Sequence, residues 1–277
     1  MAVSLEQTAD IFVPSGGDWR DALRLATHLG IGAHADDLEF MAFHGIEECR
    51  KGGGKFAGVV LTDGAGSVGG GSDLREARRT EQREAAKIGG YAVVIQLGLS
   101  SAQLKDTKDK TARALLEEIF RHARPKTVYA HNPADRHDTH VAACLRTIDA
   151  LRALPADRRP QRVYGCELWR DLDWLSGDDR VRLDCGADET FASTLNAVFR
   201  SQIGGGKRYD LAVIGRRRAN ATFDDAHRAD EASMVTLAMD LTSLVSDPAL
   251  SVKDFSLRVV DRLRAEVADR LTRMGHV

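Results

Sequence analysis

Length, composition and charge limit what this chain can be. It has 277 residues, 43% hydrophobic and 29% charged, and its 39 basic and 41 acidic residues give a net charge of -2. A chain of this length can bury a sizeable core. We expect a single domain over 1–277, with a core at about 24–245 and a closing helix at about 251–273. The charge balance provides no broad basic surface to neutralise phosphates, which argues against a nucleic-acid partner.

Cysteine spacing and hydropathy indicate the compartment. The four cysteines are far apart and form no CxxC pair. No apolar run approaches the roughly 18 residues that a membrane span needs. The opening residues, MAVSLEQTADIF, have neither the basic start nor the apolar centre of a signal peptide. We therefore expect a soluble, cytoplasmic protein with no membrane partner.

Apolar runs of strand-like composition alternate with segments of helical periodicity. The predicted strands are, in chain order, residues 27–33, 56–62, 91–97, 127–131 and 162–168. The predicted helices are residues 38–51, 74–89, 108–123 and 139–153, and then 230–245 and 257–271. Strands that alternate with helices of this length are typical of a parallel sheet covered on both faces. The pattern predicts an α/β, Rossmann-like, three-layer fold with a mostly parallel sheet and a helical C-terminal section.

A glycine-rich stretch, GAGSVGGGS at 64–72, follows the second predicted strand. It matches the spacing G-x-G-x-x-G, but a dinucleotide site also needs a helix that opens within the motif and an acidic residue after the next strand. Here the helix begins near Leu74, and the next strand ends without an acidic residue. We expect a loop beside a site, with the backbone freedom of a lid.

Charged side chains are concentrated at the end of the first predicted strand, in IGAHADDLEF at 31–40. Helix capping explains one aspartate at such a position. It does not explain two adjacent aspartates with a histidine two residues before them. Neighbouring carboxylates repel each other, and a cation relieves this repulsion. Because ligands bind at the carboxyl ends of strands in open α/β sheets, the stretch predicts a metal site.

A second polar group follows the fourth predicted strand, in YAHNPADRHDTHVAAC at 129–144. It contains His131, His137 and His140, and the last two share one face if both are helical. Cys144 fits a buried helix position better than a ligand position. Two imidazoles and one carboxylate suit catalytic zinc and also non-haem iron. The two polar groups together predict one shared metal site.

Both groups resemble the signatures of a known family. AHADDLE at 33–39 is similar to the A-H-P-D-D-x-E signature of the LmbE-like, or PIG-L, zinc-dependent N-acetylglucosaminyl deacetylases, with alanine in place of proline. HDTH at 137–140 is similar to their H-P-D-H. The segments VVLTDGAGS, REARRTEQREAA and NATFDDAHRADEASMVTLAMDL also resemble family segments in the same order. The resemblance covers most of positions 27–240.

The resemblance implies a reaction and a set of roles. The expected enzyme is a metal-dependent amidohydrolase that removes the N-acetyl or a related N-acyl group from an N-acetylglucosamine-type sugar or its conjugate, a small molecule. One Zn²⁺ per chain is expected, and another divalent ion is compatible. His34, Asp37 and His140 correspond to the zinc ligands, and Asp36 corresponds to the general base. His137 corresponds to the group that steadies the oxyanion or protonates the leaving amine.

Substrate contacts are predicted more loosely. Arg78, in the arginine-rich helix, corresponds to a substrate contact. Asp63 and His227 are polar residues near a strand end and in a late loop, where they suit sugar hydroxyls.

One departure from the family pattern concerns orientation. Thr139 stands where the family usually has an aspartate, so His137 loses its usual partner, for which Asp135 or Asp138 are candidate replacements. Two alternatives stay open: a catalytically weak, sugar-binding relict of this fold, which this departure makes credible, and a two-histidine, one-carboxylate iron enzyme, which the same donor set suits. An oligomeric assembly is compatible with the sequence.

Overall fold

The structure is a computed structural model, and it describes residues 4–65, 72–204 and 206–276. Most of the glycine-rich stretch predicted as a loop at 64–72 lies outside these residues, so its role as a lid stays a prediction. No helix among the described residues is long and apolar enough to cross a membrane.

The strands of the described chain form one eight-stranded sheet. In chain order they are β1 Asp10–Phe12, β2 His28–Gly32, β3 Phe56–Thr62, β4 Val93–Leu99, β5 Thr127–His131, β6 Arg162–Cys166, β7 Arg180–Asp184 and β8 Val235–Asp240. Their order across the sheet is β1-β4-β3-β2-β5-β6-β8-β7. The central strands from β4 to β6 pair in parallel, whereas β1, β8 and β7 are added antiparallel at the two sides. The predicted α/β class with a mostly parallel sheet is confirmed.

The helices alternate with the strands over most of the described chain. They are α1 Leu5–Thr8, α2 Trp19–Leu25, α3 Asp37–Met41, α4 Phe43–Glu48, α5 Ser72–Ile88, α6 Ser101–Lys105, α7 Thr111–His122, α8 Asp138–Arg152, α9 Glu189–Asn196, α10 Arg200–Ile203, α11 Tyr209–Thr222, α12 Thr242–Ser246 and α13 Val252–Arg273.

Two apolar cores lie on opposite faces of the sheet. Successive side chains of a strand point to opposite faces, and in β3 Val59 belongs to one core and Val60 to the other. Helices α2, α7 and α8 cover the first face, and α3, α4, α5 and α11 cover the second. The sheet is therefore the middle of three layers, as predicted.

The predicted helix at 230–245 is wrong. Residues Val235–Asp240 form β8, which lies between β6 and β7, and only Thr242–Ser246 is helical. Val235 and Leu237 pack into one core, and Ala238 packs into the other. A strand buried on both faces reads as a continuous apolar run, and its periodicity does not distinguish it from a buried helix.

Candidate active site

The two polar groups meet where the order of the sheet reverses. From β2 the chain adds β3 and β4 on one side, and then returns to add β5 on the other side of β2. The turn at 33–37 follows β2, and the segment 132–140 follows β5, which pairs in parallel with β2. Ligands bind at such switch points, beyond the carboxyl ends of the strands. The fold therefore brings together side chains that are about a hundred residues apart.

Close packing of α3 on the sheet fixes the first group. A side chain at Gly32 would place its Cβ 2.8 Å from the Cβ of Asp37, and one at Gly58 would lie 2.6 Å from a methyl group of Leu38. The glycines let α3 approach the strands, since they leave this space open. The Asp37 Oδ2 atom accepts a hydrogen bond from the backbone N–H of His34 at 2.7 Å. Asp37 is thus held at the base of the turn and is 3% exposed.

Three of the predicted residues converge on a common point. The Nδ1 atom of His34 lies 3.4 Å from Oδ2 of Asp37 and 3.3 Å from Nε2 of His140. The Nε2 atom of His140 lies 3.7 Å from Oδ1 of Asp37.

Two further histidines lie beside this trio. Donor atoms within 4.8 Å of one another form two sets that share one residue, namely His34, His137 and His140, and Asp37, His131 and His140. The chain therefore offers one cluster of imidazole and carboxylate donors, in which Asp37, His131 and His140 are buried and His34 and His137 are half-buried.

Asp135 orients His140 and leaves His137 without a carboxylate partner among the described residues. Its Oδ2 atom lies 3.0 Å from Nδ1 of His140, and its Oδ1 atom accepts from the backbone N–H of His137 at 2.7 Å. The Nδ1 atom of His137 is buried and has no hydrogen-bond partner in the described structure. Asp138 is exposed in the first turn of α8. Neither candidate carboxylate takes the place of the aspartate that Thr139 replaces.

His131 supports Asp37 from below. It is fully buried at the end of β5, and its Nε2 atom lies 3.1 Å from both the backbone N of Ala33 and Oδ2 of Asp37. The sequence indicated His131 as part of the shared site without a role. Its contacts suit the orientation of Asp37.

The protonation states favour cation binding. Burial acts to raise the pKa of Asp37, but the imidazoles of His140 and His131, together with hydrogen bonds from His131 and His34, hold it well below its usual range. Burial and the neighbouring His131 lower the pKa of His140 to about 2. Burial also lowers the pKa of His137. An ionised carboxylate beside neutral imidazoles is the form in which these groups bind metals.

Asp36 has an unusual backbone conformation, with φ 90° and ψ -28° in the left-handed region. Such a conformation costs on the order of 1 kcal/mol or more outside glycine and persists where neighbouring groups hold it. The backbone N–H of Asp36 faces the side-chain oxygen of Gln82 at 3.4 Å. The Gln82 amide in turn donates to Glu39 at 2.8 Å, and the Tyr91 hydroxyl donates to the same oxygen of Glu39 at 2.6 Å. A buried polar network therefore supports the Asp36 turn.

Neighbouring buried carboxylates shift the pKa of Asp36. Burial, with the charges of Asp37 and Glu39, raises the pKa of Asp36 well above its usual range, and the charge of Arg78 acts against this rise. Burial raises the pKa of Glu39 to about 7. Perturbed groups of this kind in a cleft are typical of catalytic sites.

The cluster forms the floor of a cleft of about 200 Å³. Its lining residues come from the metal-donor cluster, from α5, from the segment after β6, and from α10 and α11; they are His34, Asp36, Asp37, Phe40, Arg78, His137, His140, Leu168, Trp169, Gln202, Tyr209, Ala212, Val213 and Arg216.

Of the three predicted substrate contacts, Arg78 lines this cleft. It is 6% exposed, and its guanidinium donates to the carbonyl of Gly64 and to the Gln202 side chain. Asp63 lies at the end of β3 beside Arg78 but outside the cleft lining, where it pairs with Arg75 at 3.2 Å.

The structure does not bring His227 to the cleft. His227 is exposed in a turn after α11, and its backbone N–H donates to Asp225. Helix α11 begins at the cleft with Tyr209 and ends at Thr222, a length of roughly 20 Å. The helix thus carries the chain away from the cleft before His227 is reached.

The outer wall of the cleft was not predicted. Trp169 follows β6, Gln202 lies on α10, and Tyr209 and Arg216 lie on α11. The detectable signal was the helical spacing of Tyr209, Ala212, Val213 and Arg216. Cys144, by contrast, is buried in one of the apolar cores, as expected.

Comparison with known proteins identifies the family. Residues 29–151 match the model described as PIG-L, GlcNAc-PI de-N-acetylase. The chain is 31% identical over 132 residues to YaiS, an uncharacterized deacetylase of Escherichia coli strain K12, with 46% of this chain and 69% of that protein covered. The chain belongs to the PIG-L family.

Solved structures share the fold of this PIG-L family member at low identity. A conserved protein from Thermus thermophilus aligns with a TM-score of 0.62 at 21% identity, covering 78% of this chain and 94% of that one. The N,N'-diacetylchitobiose deacetylase from Pyrococcus horikoshii aligns with a TM-score of 0.60 at 18% identity, covering 83% and 89%. The hydratase GalB from Pseudomonas putida KT2440 aligns with a TM-score of 0.60 at 20% identity, covering 78% and 96%. Because the fold includes a hydratase, the reaction has to be argued from the site.

Proposed function

We propose that this PIG-L family protein is a zinc-dependent hydrolase that removes the N-acetyl group from an N-acetylglucosamine-type sugar or its conjugate. The observation that carries the proposal is the convergence of His34, Asp37 and His140 beside a buried second carboxylate, Asp36, on the floor of a cleft.

The donor set fits zinc. In a tetrahedral site with bonds of about 2.0 Å to nitrogen, neighbouring donor atoms are about 3.3 Å apart, and the separations among the three residues are 3.3, 3.4 and 3.7 Å. Two imidazoles and one carboxylate are a donor set found in catalytic zinc sites, and these three residues would hold the ion. A zinc ion held there would polarise the acetamide carbonyl and lower the pKa of a bound water to about 7.

His131 is assigned to support rather than to the ligand set. Its Nε2 atom already lies 3.1 Å from the backbone N of Ala33, behind Asp37 and away from the cleft lining. Asp135 does the same for His140 from its Nδ1 side. Partners of this kind fix the ring orientation and tautomer of a metal ligand.

Asp36 is the general base. It lines the cleft beside Asp37, and its raised pKa lets it hold a proton between two steps. Asp36 takes one proton from the attacking water, whose oxygen forms the new bond to the acetyl carbon. The C–N bond then breaks, and Asp36 returns that proton to the amine nitrogen. The products are acetate and the free amino sugar, with the remaining acid proton released to solvent.

His137 acts in its neutral form. It lines the cleft, and burial lowers the pKa of its ring. A neutral imidazole keeps one N–H, which can donate to the acetamide oxygen as negative charge develops there. Of the two roles that the family resemblance implied for His137, a neutral ring suits the one that steadies the oxyanion, because the described structure gives the ring no carboxylate partner.

The test measures acetate release from N-acetylglucosamine and its glycosides, with bound metal counted on the same sample. We expect about one zinc per chain and acetate formation that stops when a chelator removes the metal. Zinc without acetate from any glycoside would favour the sugar-binding relict. Iron retained through purification, with no acetate formed, would favour the iron enzyme.

A further inference from the structure

The outer wall of the cleft lies outside the part of the chain that matches the family model. The metal-donor cluster falls within residues 29–151, whereas the outer wall comes from the segment after β6 and from α10 and α11. Along α11, Tyr209, Ala212, Val213 and Arg216 follow the spacing of a single helix face, and all four line the cleft. The floor and the outer wall thus have separate origins in the sequence.

Two aromatic side chains form a surface that leads from the floor to solvent. The Trp169 ring lies nearly parallel to the His137 ring, with an angle of 12° and centroids 6.2 Å apart. The Tyr209 ring stands at 83° to Trp169, again at 6.2 Å. Trp169 is 41% exposed, so part of a large apolar ring is open to solvent beside the proposed site of reaction.

The ammonium group of Lys207 lies over the rings of Trp169 and Tyr209. The Nζ atom of Lys207 lies 5.0 Å from the centre of the Trp169 ring and 5.9 Å from that of Tyr209. In the described part of the chain, Lys207 forms no ion pair with a carboxylate.

Two carboxylates beside the outer wall already have arginine partners. Asp210 pairs with Arg208 at 2.7 Å, and Asp171 lies 3.9 Å from Arg216. The outer wall therefore combines the partly exposed ring of Trp169 with the positive charge of Lys207, which pairs with no carboxylate among the described residues.

We propose that the cleft takes an amino sugar whose aglycone is an aromatic acid. This substrate class rests on the proposed deacetylation. With the acetamide at the His34–Asp37–His140 floor, the group attached to the sugar extends along Trp169. An aryl aglycone then packs against Trp169 and Tyr209, and its carboxylate lies near Lys207. Aromatic rings and cations at the rim recognise the two parts of such a ligand separately.

Three glycosides separate the two contributions. They are the methyl, phenyl and 4-carboxyphenyl β-glycosides of N-acetylglucosamine, for which kcat/KM of acetate release is measured. We expect the phenyl glycoside to exceed the methyl glycoside by about three- to tenfold, the range of an aromatic pair. We expect the carboxylate to add about two- to fivefold, the range of an exposed ion pair. The carboxylate advantage falls as salt is raised, since exposed charges are screened.

Substitutions at Trp169 and Lys207 test which side chain causes each difference in kcat/KM between the glycosides. In Trp169→Ala the phenyl-to-methyl ratio falls towards one, and in Trp169→Phe most of it returns. In Lys207→Gln the carboxyphenyl-to-phenyl ratio falls towards one while the phenyl-to-methyl ratio stays high. Phe223→Ala and Lys253→Gln are matched controls, since both residues are exposed and lie outside the cleft lining. Both ratios in the controls equal those of the wild type.

The outcomes separate this proposal from the deacetylation itself. Equal kcat/KM for the three glycosides in the wild type would overturn the substrate class and leave deacetylation intact. So would phenyl-to-methyl and carboxyphenyl-to-phenyl ratios that do not change in Trp169→Ala and Lys207→Gln. If no glycoside releases acetate, the proposed deacetylation is wrong. Calorimetric binding of the same three glycosides then tests whether the outer wall recognises an aromatic acid. A preference for the carboxyphenyl glycoside that is lost in Lys207→Gln supports the aromatic-acid site, and equal affinities reject it.

Discussion

The two ends of β2 carry similar residues and differ in what those residues can do. At the carboxyl end stand His34, Asp36 and Asp37. At the amino end, His28 lies 3.2 Å from the sulfur of Cys49 and 3.3 Å from a carboxylate oxygen of Glu48. Both ends therefore combine histidine with carboxylate, and the amino end adds a thiol.

The difference lies in how the polar atoms are directed. At the amino end the imidazoles contact hydroxyl and thiol groups: Nδ1 of His28 lies 2.9 Å from the Thr27 hydroxyl and 3.2 Å from the Cys49 sulfur, and Nδ1 of His44 lies 2.6 Å from the Tyr129 hydroxyl. At the carboxyl end the donor atoms of several residues point to one place. Of the described residues, those at the carboxyl end form the groups able to hold a metal. Residue type alone is thus a poor guide to a site, and convergence is the better one.

The largest expected effect comes from removal of one proposed metal ligand from the cluster at the carboxyl end. His140→Ala removes the donor shared by both candidate sets, so we expect zinc content near zero and no measurable acetate release. The matched variant His28→Ala keeps one zinc per chain. Metal analysis of both purified proteins checks the pair, and zinc lost equally from the two would erase the distinction between the ends.

A smaller effect is expected from the base. Asp36→Asn keeps a side chain that tolerates the left-handed backbone but cannot accept the proton. We expect kcat to fall by about 10²- to 10⁴-fold, the usual contribution of general acid–base catalysis, with zinc content unchanged. Retention of near-normal kcat in a zinc-loaded sample would remove Asp36 from its role.

A smaller loss of activity is expected when the hydrogen bonds of Gln82 to Asp36 and Glu39 are removed. Gln82→Met fills similar space but cannot accept from the Asp36 backbone or donate to Glu39. We expect kcat to fall by about tenfold through misplacement of the base, with KM and zinc content close to wild type. Thr80→Met, exposed on the same helix, serves as the control. A change confined to thermal stability would make Gln82 a structural residue only.

The amino end is expected to matter for stability and not for turnover. In His44→Phe the buried Tyr129 hydroxyl loses its partner at 2.6 Å, which costs about 1–3 kcal/mol of unfolding free energy. Acetate release and zinc content at 25 °C stay at wild-type values. Denaturant unfolding and steady-state kinetics on one preparation measure both, and a loss of zinc would show that the two ends are coupled.

The central sheet and the floor of the site could be predicted from the sequence because their signals are local. In β2 and β5 a short apolar run ends, polar residues follow at once, and a helix begins, so topology alone brings His34 and His140 together. The antiparallel strand β8 was missed because its residues are buried on both faces. Its leucine, alanine and methionine residues also have high helix propensity.

The outer wall could not be predicted because its residues carry no local pattern of catalytic chemistry. Trp169 and Tyr209 are forty positions apart and meet only through the packing of α11. Gly215 and the three arginines that follow it interrupt the apolar pattern of that helix in the sequence. His227 lies in a late loop within a family-like segment, and helix α11 carries that loop away from the cleft.

The left-handed backbone at Asp36 has a consequence for mutational tolerance. Glycine and asparagine adopt this conformation readily, whereas valine and isoleucine do not. Among all twenty residues placed at position 36, cellular abundance should therefore favour glycine, asparagine and aspartate. Deacetylase activity should favour aspartate alone. Two screens of one library would rank the same residues differently, and the gap between the rankings would measure how far the backbone at this position has been shaped by chemistry rather than by folding.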